Sequence, residues 1–411
     1  MRNILVILFT PLFLFSQESN YNQQWTWNSN FLFESNSLNK SFLNAFLYGG
    51  HINEEKKSEW INAGNERNII YGEISNGLDY NYYFKKQSFG FSFYDRNILN
   101  TNFTDDLLHL IFEGNFHHQD QTLKVGETNI RADRFQQYKF TYRINTEQVN
   151  TSYSLSYLSG NHHLSYIIKE GALYTAPLGT SLDITYNMNA FVTDTSSLNP
   201  FKNNGNGLAL AFSTDFRVKE YKIQLSFSDL GFIMWDPSSI VLATDSSFNF
   251  QGIEVENIFS FNDSVLEANN LKDDILRTNN TSFKSYIPAT CNIEISGETK
   301  YKYLKTYKAG IIAKWQPYMD NELLSFSKIK QGFLESNFNP LYYINSFFNA
   351  KYCNIIPGLS HGGYNNNTNI ALALSKGKKN KIIVGTHHLE YILNQEKSKT
   401  INLYINIQLQ L

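Results

Sequence analysis

The chain has 411 residues, a formal net charge of −2 and a pI of about 6.5, so no basic bias points to nucleic acid as a partner. Only 18 % of residues are charged and 15 % are aromatic, while abundant Asn, Gln, Ser and Thr hold the mean hydropathy at −0.36, which excludes a bundle of membrane-spanning helices. That balance suits a wall with lipid on one side and water on the other, and composition by itself also fits a soluble β-sandwich.

The chain opens as an export leader does. Arg2 precedes an apolar run from Ile4 to Phe15, broken only by Thr10, and a polar stretch begins at Ser16-Gln17. The run is too short for a transmembrane helix, so residues 1–16 read as a signal peptide and 17–411 as one domain, with no linker or fixed-period repeat inside it. No later apolar run approaches ~18 residues, so a mature chain that crosses a membrane must close into a barrel.

Residues 24–34, 42–52 and 68–84 are vague strand candidates, and Phe89 to Phe93 is a clearer one. In 103–112, Thr104 precedes Leu107, Leu108 and Ile111 at helical spacing, which predicts a short capped helix. Tyr138 to Ile144, a turn at Asn145-Thr146-Glu147, and the alternating run from Val149 to Tyr157 predict a hairpin. A further turn is expected at Ser159-Gly160-Asn161, before a vaguer strand over 161–174. Leu182, Ile184, Tyr186 and Met188 oppose Asp183, Thr185, Asn187 and Asn189; Leu208 to Phe216 and Tyr221 to Phe227 repeat that alternation. Beyond them Gly231 permits a bulge or tight bend, and Trp235 suits a membrane–water boundary.

Val265, Ala268, Leu271 or Lys272, and Ile275 give a second helical spacing within 263–277. Cys291 to Ile295, a turn at Ser296 to Thr299, Tyr307 to Trp315, a vague 341–352, Ile370 to Leu374, a basic solvated turn at Ser375 to Asn380 and a vague 381–393 complete the approach to the last segment. There Ile401, Leu403, Ile405, Ile407, Leu409 and Leu411 oppose Asn402, Tyr404, Asn406, Gln408 and Gln410, a division that only a strand makes coherent.

Roughly 14 to 16 strands result. A strand of ~10 residues tilted ~45° rises about 23 Å, close to the ~25 Å apolar band of outer-membrane barrels. The expected fold is therefore all-β: a transmembrane antiparallel barrel of about 14 strands, with short helices in the long connections 98–133, 231–285 and 316–340. Short turns and long connections in this reading do not alternate cleanly.

Chemistry-bearing strings are sparse. Gly358-Leu-Ser360-His361-Gly362 has the form of a nucleophile elbow, but turn residues rather than a helix follow it. The pairs His117-His118, His162-His163 and His387-His388 invite a metal reading, yet neighbours on a strand face opposite ways. Cys291 lies on a lipid-side apolar face and Cys353, on an extended 342–353 strand, on the opposite one, so two free thiols are expected. Asp183, Asp215, Arg143, Lys139, Lys308 and Lys314 fall on polar faces and should point into the lumen. No catalytic, cofactor-binding or metal residue is assigned.

The segments Gly49-Gly50-His-Ile-Asn-Glu-Glu-Lys56, Phe103-Thr-Asp-Asp-Leu-Leu108, Phe112-Glu-Gly-Asn115 and above all Phe227-Ser-Asp-Leu-Gly-Phe-Ile-Met-Trp235 resemble a Bacteroidota outer-membrane family of unknown function. That family is similar in turn to FadL-type and PorV-type barrels. The resemblance implies a Gram-negative outer-membrane barrel in contact with lipids, and it carries over no ligand residue; one departure is the terminal Leu411, where such barrels often end in an aromatic. Two functions follow by analogy: passive uptake of small or hydrophobic molecules, or docking to a protein-secretion machine through the long loops.

Overall fold

Strands with one apolar and one polar face need a structure without sheet edges if the apolar face meets lipid, and the chain supplies it. The computed structural model describes residues 22–49, 51–193, 199–250, 278–317, 326–377, 379–393 and 398–411. The leader expected at 1–16 and the helix expected within 263–277 lie outside them. In chain order the strands are β1 Gln23–Ser35, β2 Arg67–Phe84, β3 Gln87–Thr104, β4 Gln121–Lys124, β5 Thr128–Asn145, β6 Val149–Thr175, β7 Leu182–Val192, β8 Gly205–Val218, β9 Tyr221–Trp235 and β10 Ile240–Phe250. There follow β11 Thr278–Asn280, β12 Phe283–Tyr286, β13 Ala289–Glu298, β14 Leu304–Trp315, β15 Asn339–Asn349, β16 Asn354–Gly363, β17 Asn367–Lys376, β18 Lys381–Thr386 and β19 Thr400–Gln410.

Fourteen of these, β1–β3, β5, β6, β8, β9 and β13–β19, form the wall, each antiparallel to the next. The ring closes where β1 pairs with β19, from Gln24 opposite Gln410 to Glu34 opposite Thr400. Short turns at 85–86, 146–148, 219–220, 299–303, 350–353 and 377–380 lie at the end that holds both Gln23 and Gln410. The connections at the other end are longer except for 364–366, so short and long connections sort by end with that one exception. At that long-loop end β6 outgrows the wall: its first half pairs with β8, and from Leu164 onward it pairs with β7, which β10 then joins.

The faces sort as lipid requires. Phe140, Leu208, Leu359 and Leu403, spread around the ring, are each about half exposed on the outside, at 53, 52, 51 and 52 %. Ser92, Gln137, Ser156 and Asn402 point inward and are buried. This exposed apolar band around a closed ring is that of an outer-membrane barrel.

Several expectations are corrected. The described residues of 42–52 hold no strand; Lys40–Tyr48 is helix α1, because the Asn39 side chain accepts from the Ser41 and Phe42 amides and caps it. Helix α2, Glu54–Asn62, and helix α3, Asp105–Phe112, follow. The last was expected with Thr104 as its cap, but the Thr104 hydroxyl donates instead to the Lys124 carbonyl. Ser159 to Asn161 is no turn. It lies within β6 as a bulge, with Asn161 the extra residue between Gly160, opposite Phe135, and His162, opposite Arg134. The bulge expected at Gly231 sits earlier: Ser228 and Asp229 together face Ala211, with Asp229 at φ 59. β13 runs on through Glu298, β15 stops at Asn349 and leaves Cys353 in a turn, and 381–393 is strand only to Thr386 before a short helix, Glu390–Leu393.

Candidate functional site

Side-chain parity separates two apolar clusters, one inside the wall and one outside it. The inner cluster starts from the Asp229 bulge, which shifts the alternation of β9 by one. Phe227 and Leu230 therefore both face lipid, whereas Asp229, Ile233 and Trp235 turn inward. Trp235, expected at the membrane boundary, is instead 1 % exposed within a cluster with Tyr71, Ile98, Phe135, Leu158, Ile233 and Ile287. The boundary position is taken by Trp25, which lies outward near the short-turn end against Tyr80 at 4.7 Å.

Beneath that layer a buried ion network crosses the lumen. Arg96 of β3 donates to Glu73 of β2 at 2.8 Å and to Asp229 of β9 at 2.9 Å. Gln137 donates to Asp229 at 2.8 Å, and the Tyr71 hydroxyl to Glu73 at 2.7 Å. Tyr71 stacks on Tyr364 at 3.7 Å, and the Lys314 ammonium lies 4.6 Å from the Tyr71 ring centre. Higher up, Asp133 is held by Arg131 at 2.6 Å and by His163 at 2.7 Å. The lumen is therefore packed across its middle, and a polar chamber of about 470 Å³ below it is lined by Asn28, Asp79, Lys139, Thr141 and Arg143 among others.

Of the charges expected inside, Lys139 and Arg143 line that chamber, Lys314 joins the aromatic stack, Asp215 pairs with Lys222 at 2.9 Å and Lys308 with Glu294 at 2.8 Å. Asp183 departs from the expectation: it belongs to β7, outside the fourteen-strand ring, and is exposed.

The outer cluster is made by the helices. Phe33 of β1, Ile70 of β2 and Phe103 of β3 all have outward parity, yet they are buried, because α1–α3 fold over the outside of the wall at the long-loop end. Trp60 of α2 is 1 % exposed, donates to the Ser41 hydroxyl at 2.8 Å, and meets the rings of Phe42 and Phe112 at 5.4 and 5.3 Å. Between these helices and the wall runs an apolar crevice of about 1140 Å³ whose walls include Phe31, Leu99, Ile111, Leu164 and Val192. Arg134 and His162 stand among its few polar side chains, and the Arg134 Nε has no hydrogen-bond partner among the described residues.

Ser360 lies within β16 opposite Asn369 of β17, and the chain continues as strand to Gly363, so no strained strand-to-helix elbow forms. His361 points to the other face, where its Nδ1 meets Thr368 Oγ1 at 3.1 Å. Cys291 and Cys353 are free. The histidine pairs part as their spacing requires: His163 goes inward to Asp133 and His162 outward to the crevice. His118 meets Glu113 at 2.8 Å, where His109 of α3 arrives at 2.7 Å. The hydrogen bonds from these two rings hold the Glu113 carboxyl below its usual pKa.

His388 follows β18 at the long-loop mouth and reaches Glu34 at 2.8 Å and Glu390 at 3.2 Å. Burial disfavours its charge, yet the two carboxylates outweigh that and raise its pKa from 6.5 to about 9. A raised folded-state value gives stability that is complete below the unfolded pKa and lost as pH rises through the folded one. The melting midpoint is thus expected to fall as pH climbs from about 6.5 past 9, and His388→Gln should flatten that slope. Equal slopes in both proteins would assign the loss to other groups.

Comparison with solved structures returns other barrels at low identity. The toluene transporter TbuX of Ralstonia pickettii is 9 % identical, with 96 % of this chain and 90 % of that one covered and a TM-score of 0.43. The TodX deltaS2S3 mutant monoaromatic hydrocarbon channel is 7 % identical, over 95 % and 89 %, at 0.43. CdiB of Acinetobacter baumannii is 9 % identical over 96 % of this chain and 61 % of its own, at 0.30. Superpositions this loose transfer no ligand or activity. No curated protein matches the chain in sequence. In sequence, residues 12–354 match the family of unknown function DUF5723, and the chain belongs to that family.

Proposed function

We propose that this barrel binds hydrophobic small molecules in the crevice beneath α1–α3, as the first step of passive uptake across the outer membrane. One observation carries the reading: a cavity of about 1140 Å³, walled by aromatic and aliphatic side chains, stands against the lipid-facing side of the wall rather than in the lumen. Such a volume is of the order found for small-molecule sites, and an apolar lining with few polar groups is their usual make-up. Arg134 at one end, whose Nη2 meets Asp95 at 3.4 Å while its Nε has no hydrogen-bond partner among the described residues, suits a ligand with an apolar body and a polar head. Onward passage requires the packed layer around Arg96 to part. The docking alternative rests on the connection 231–285, much of which lies outside the described residues, and no observed contact favours it.

Gly72 offers the test. It lies on the crevice wall, and a Cβ there would meet Leu99 at 3.7 Å and the Leu32 carbonyl at 4.0 Å, ordinary contacts that admit a Cβ at this point of the wall. Gly72→Phe is expected to weaken binding of an alkyl or aromatic amphiphile tenfold to a hundredfold, roughly 1.4–2.8 kcal/mol, as read by quenching of tryptophan emission with a brominated ligand. Unchanged affinity in the folded variant would sink the reading. Flux of the same ligand into liposomes then separates uptake from binding alone.

A further inference from the structure

We propose that His109, Glu113 and His118 form a binding site for a divalent transition metal of the zinc class at the long-loop end. His109 and Glu113 stand one turn apart on α3 and its C-cap, hence on one helix face. Gly114, at φ +78, then reverses the chain into the 3-10 turn Asn115–His118, which returns His118 to the same point.

The geometry is that of converging donors. One ligand atom from each residue lies within 4.8 Å of the others, and both rings, His109 through Nδ1 and His118 through Nε2, are aimed at a single oxygen, Glu113 Oε2. A carboxylate oxygen accepts, so each ring presents an N–H there; one dication in place of those two protons satisfies all three groups. Two imidazoles and one carboxylate are a donor set that zinc takes with a fourth position left for water. The partial exposure of the three side chains, 28, 36 and 16 %, leaves that position open.

A second feature points the same way. Asp105 lies one turn before His109 on α3, and its Oδ2 is 3.9 Å from Nε2, the ring nitrogen that does not face Glu113. A carboxylate behind the free nitrogen of a ligating histidine is the usual outer support of a metal site, and Asp105 would have to close from 3.9 Å to hydrogen-bond distance to serve as one. The opposite face of α3 carries Leu107, Leu108 and Ile111 into the crevice wall, so an ion bound here ties the roof helix to the loop that follows it. The site stands on its own residues and does not depend on what the crevice binds.

The test uses the whole chain refolded in detergent, titrated with zinc by calorimetry and with cobalt by visible absorption. About one equivalent of metal, with the visible bands of a four-coordinate cobalt ion, is expected. His118→Gln and Glu113→Gln should each remove that binding, and Asp105→Asn, a positioning change, should weaken it about tenfold to a hundredfold. His117→Gln should leave it unchanged. Failure to bind zinc, calcium competing as well as cobalt does, or His117→Gln costing as much as His118→Gln would each overturn the proposal. Retention of the fold in every variant is read from the β-sheet circular dichroism of the same samples.

Discussion

Arg96→Met is expected to destabilise the folded barrel by about 3–5 kcal/mol, the range for removing one partner from a buried ion group. Its guanidinium stands between Glu73 and Asp229, both on the inner face, and all three side chains are largely shielded from water. Without it two carboxylates confront each other in a dry layer beside the Phe135 ring, over which the Arg96 guanidinium now lies at 5.6 Å. Equilibrium unfolding in urea from lipid vesicles measures the loss. The same variant should raise ion conductance in planar bilayers, because the network is one of the layers that cross the lumen. Adding Glu73→Gln and Asp229→Asn to Arg96→Met should recover most of the stability, since neutral amides remove the repulsion. A single-variant loss under about 1 kcal/mol would mean water already reaches the network.

The wall was legible because its determinant is local. Ile401 to Leu411 and Val149 to Tyr157 alternate without interruption, and each pairs as a wall strand. Misreadings fall where one residue breaks the period. The Asn161 bulge restarts the alternation of β6, so a sequence reader meets a phase change flanked by Ser159 and Gly160 and infers a turn. The Asp229 bulge does the same in β9, and the side chain it redirects proves to be the lumen's central acid. Phe42, Ala45 and Phe46 follow a helical period that a short window does not separate from a vague strand.

The candidate site was much less legible, since its parts meet only in three dimensions. Phe31 and Phe33 share the outward parity of β1, and nothing in that segment reports that α1–α3 cover them. Inward aromatics such as Tyr71, Phe135 and Trp235 violate the polar-inside rule by which the lumen was inferred. The His109–Glu113–His118 group did leave a trace, as a helical four-residue step followed by a return five residues on. Attention to adjacent histidines passed over it, because the partner of His118 is not its neighbour in the chain.

Trp235→Ala is expected to cost a further class of stability, about 3–5 kcal/mol, because its ring occupies a slot made for it. A Cβ at Gly160 would come within 2.6 Å of a ring carbon, and one at Gly205 within 2.8 Å, so these two glycines leave the space the indole fills. Its Nε1 donates to Ser285 Oγ at 2.8 Å, and His163 and Phe283 flank the ring at 5.4 and 6.1 Å. Truncation thus leaves both a void and an unpaired hydroxyl in the layer that closes the lumen. Gly160→Leu should cost about 1–3 kcal/mol alone, by pushing the ring aside. Combined with Trp235→Ala it should cost less than the sum, because the new side chain enters the space the indole vacates. Strict additivity in urea unfolding would mean that ring and glycine do not share that space, and the packed layer would then have to be built some other way.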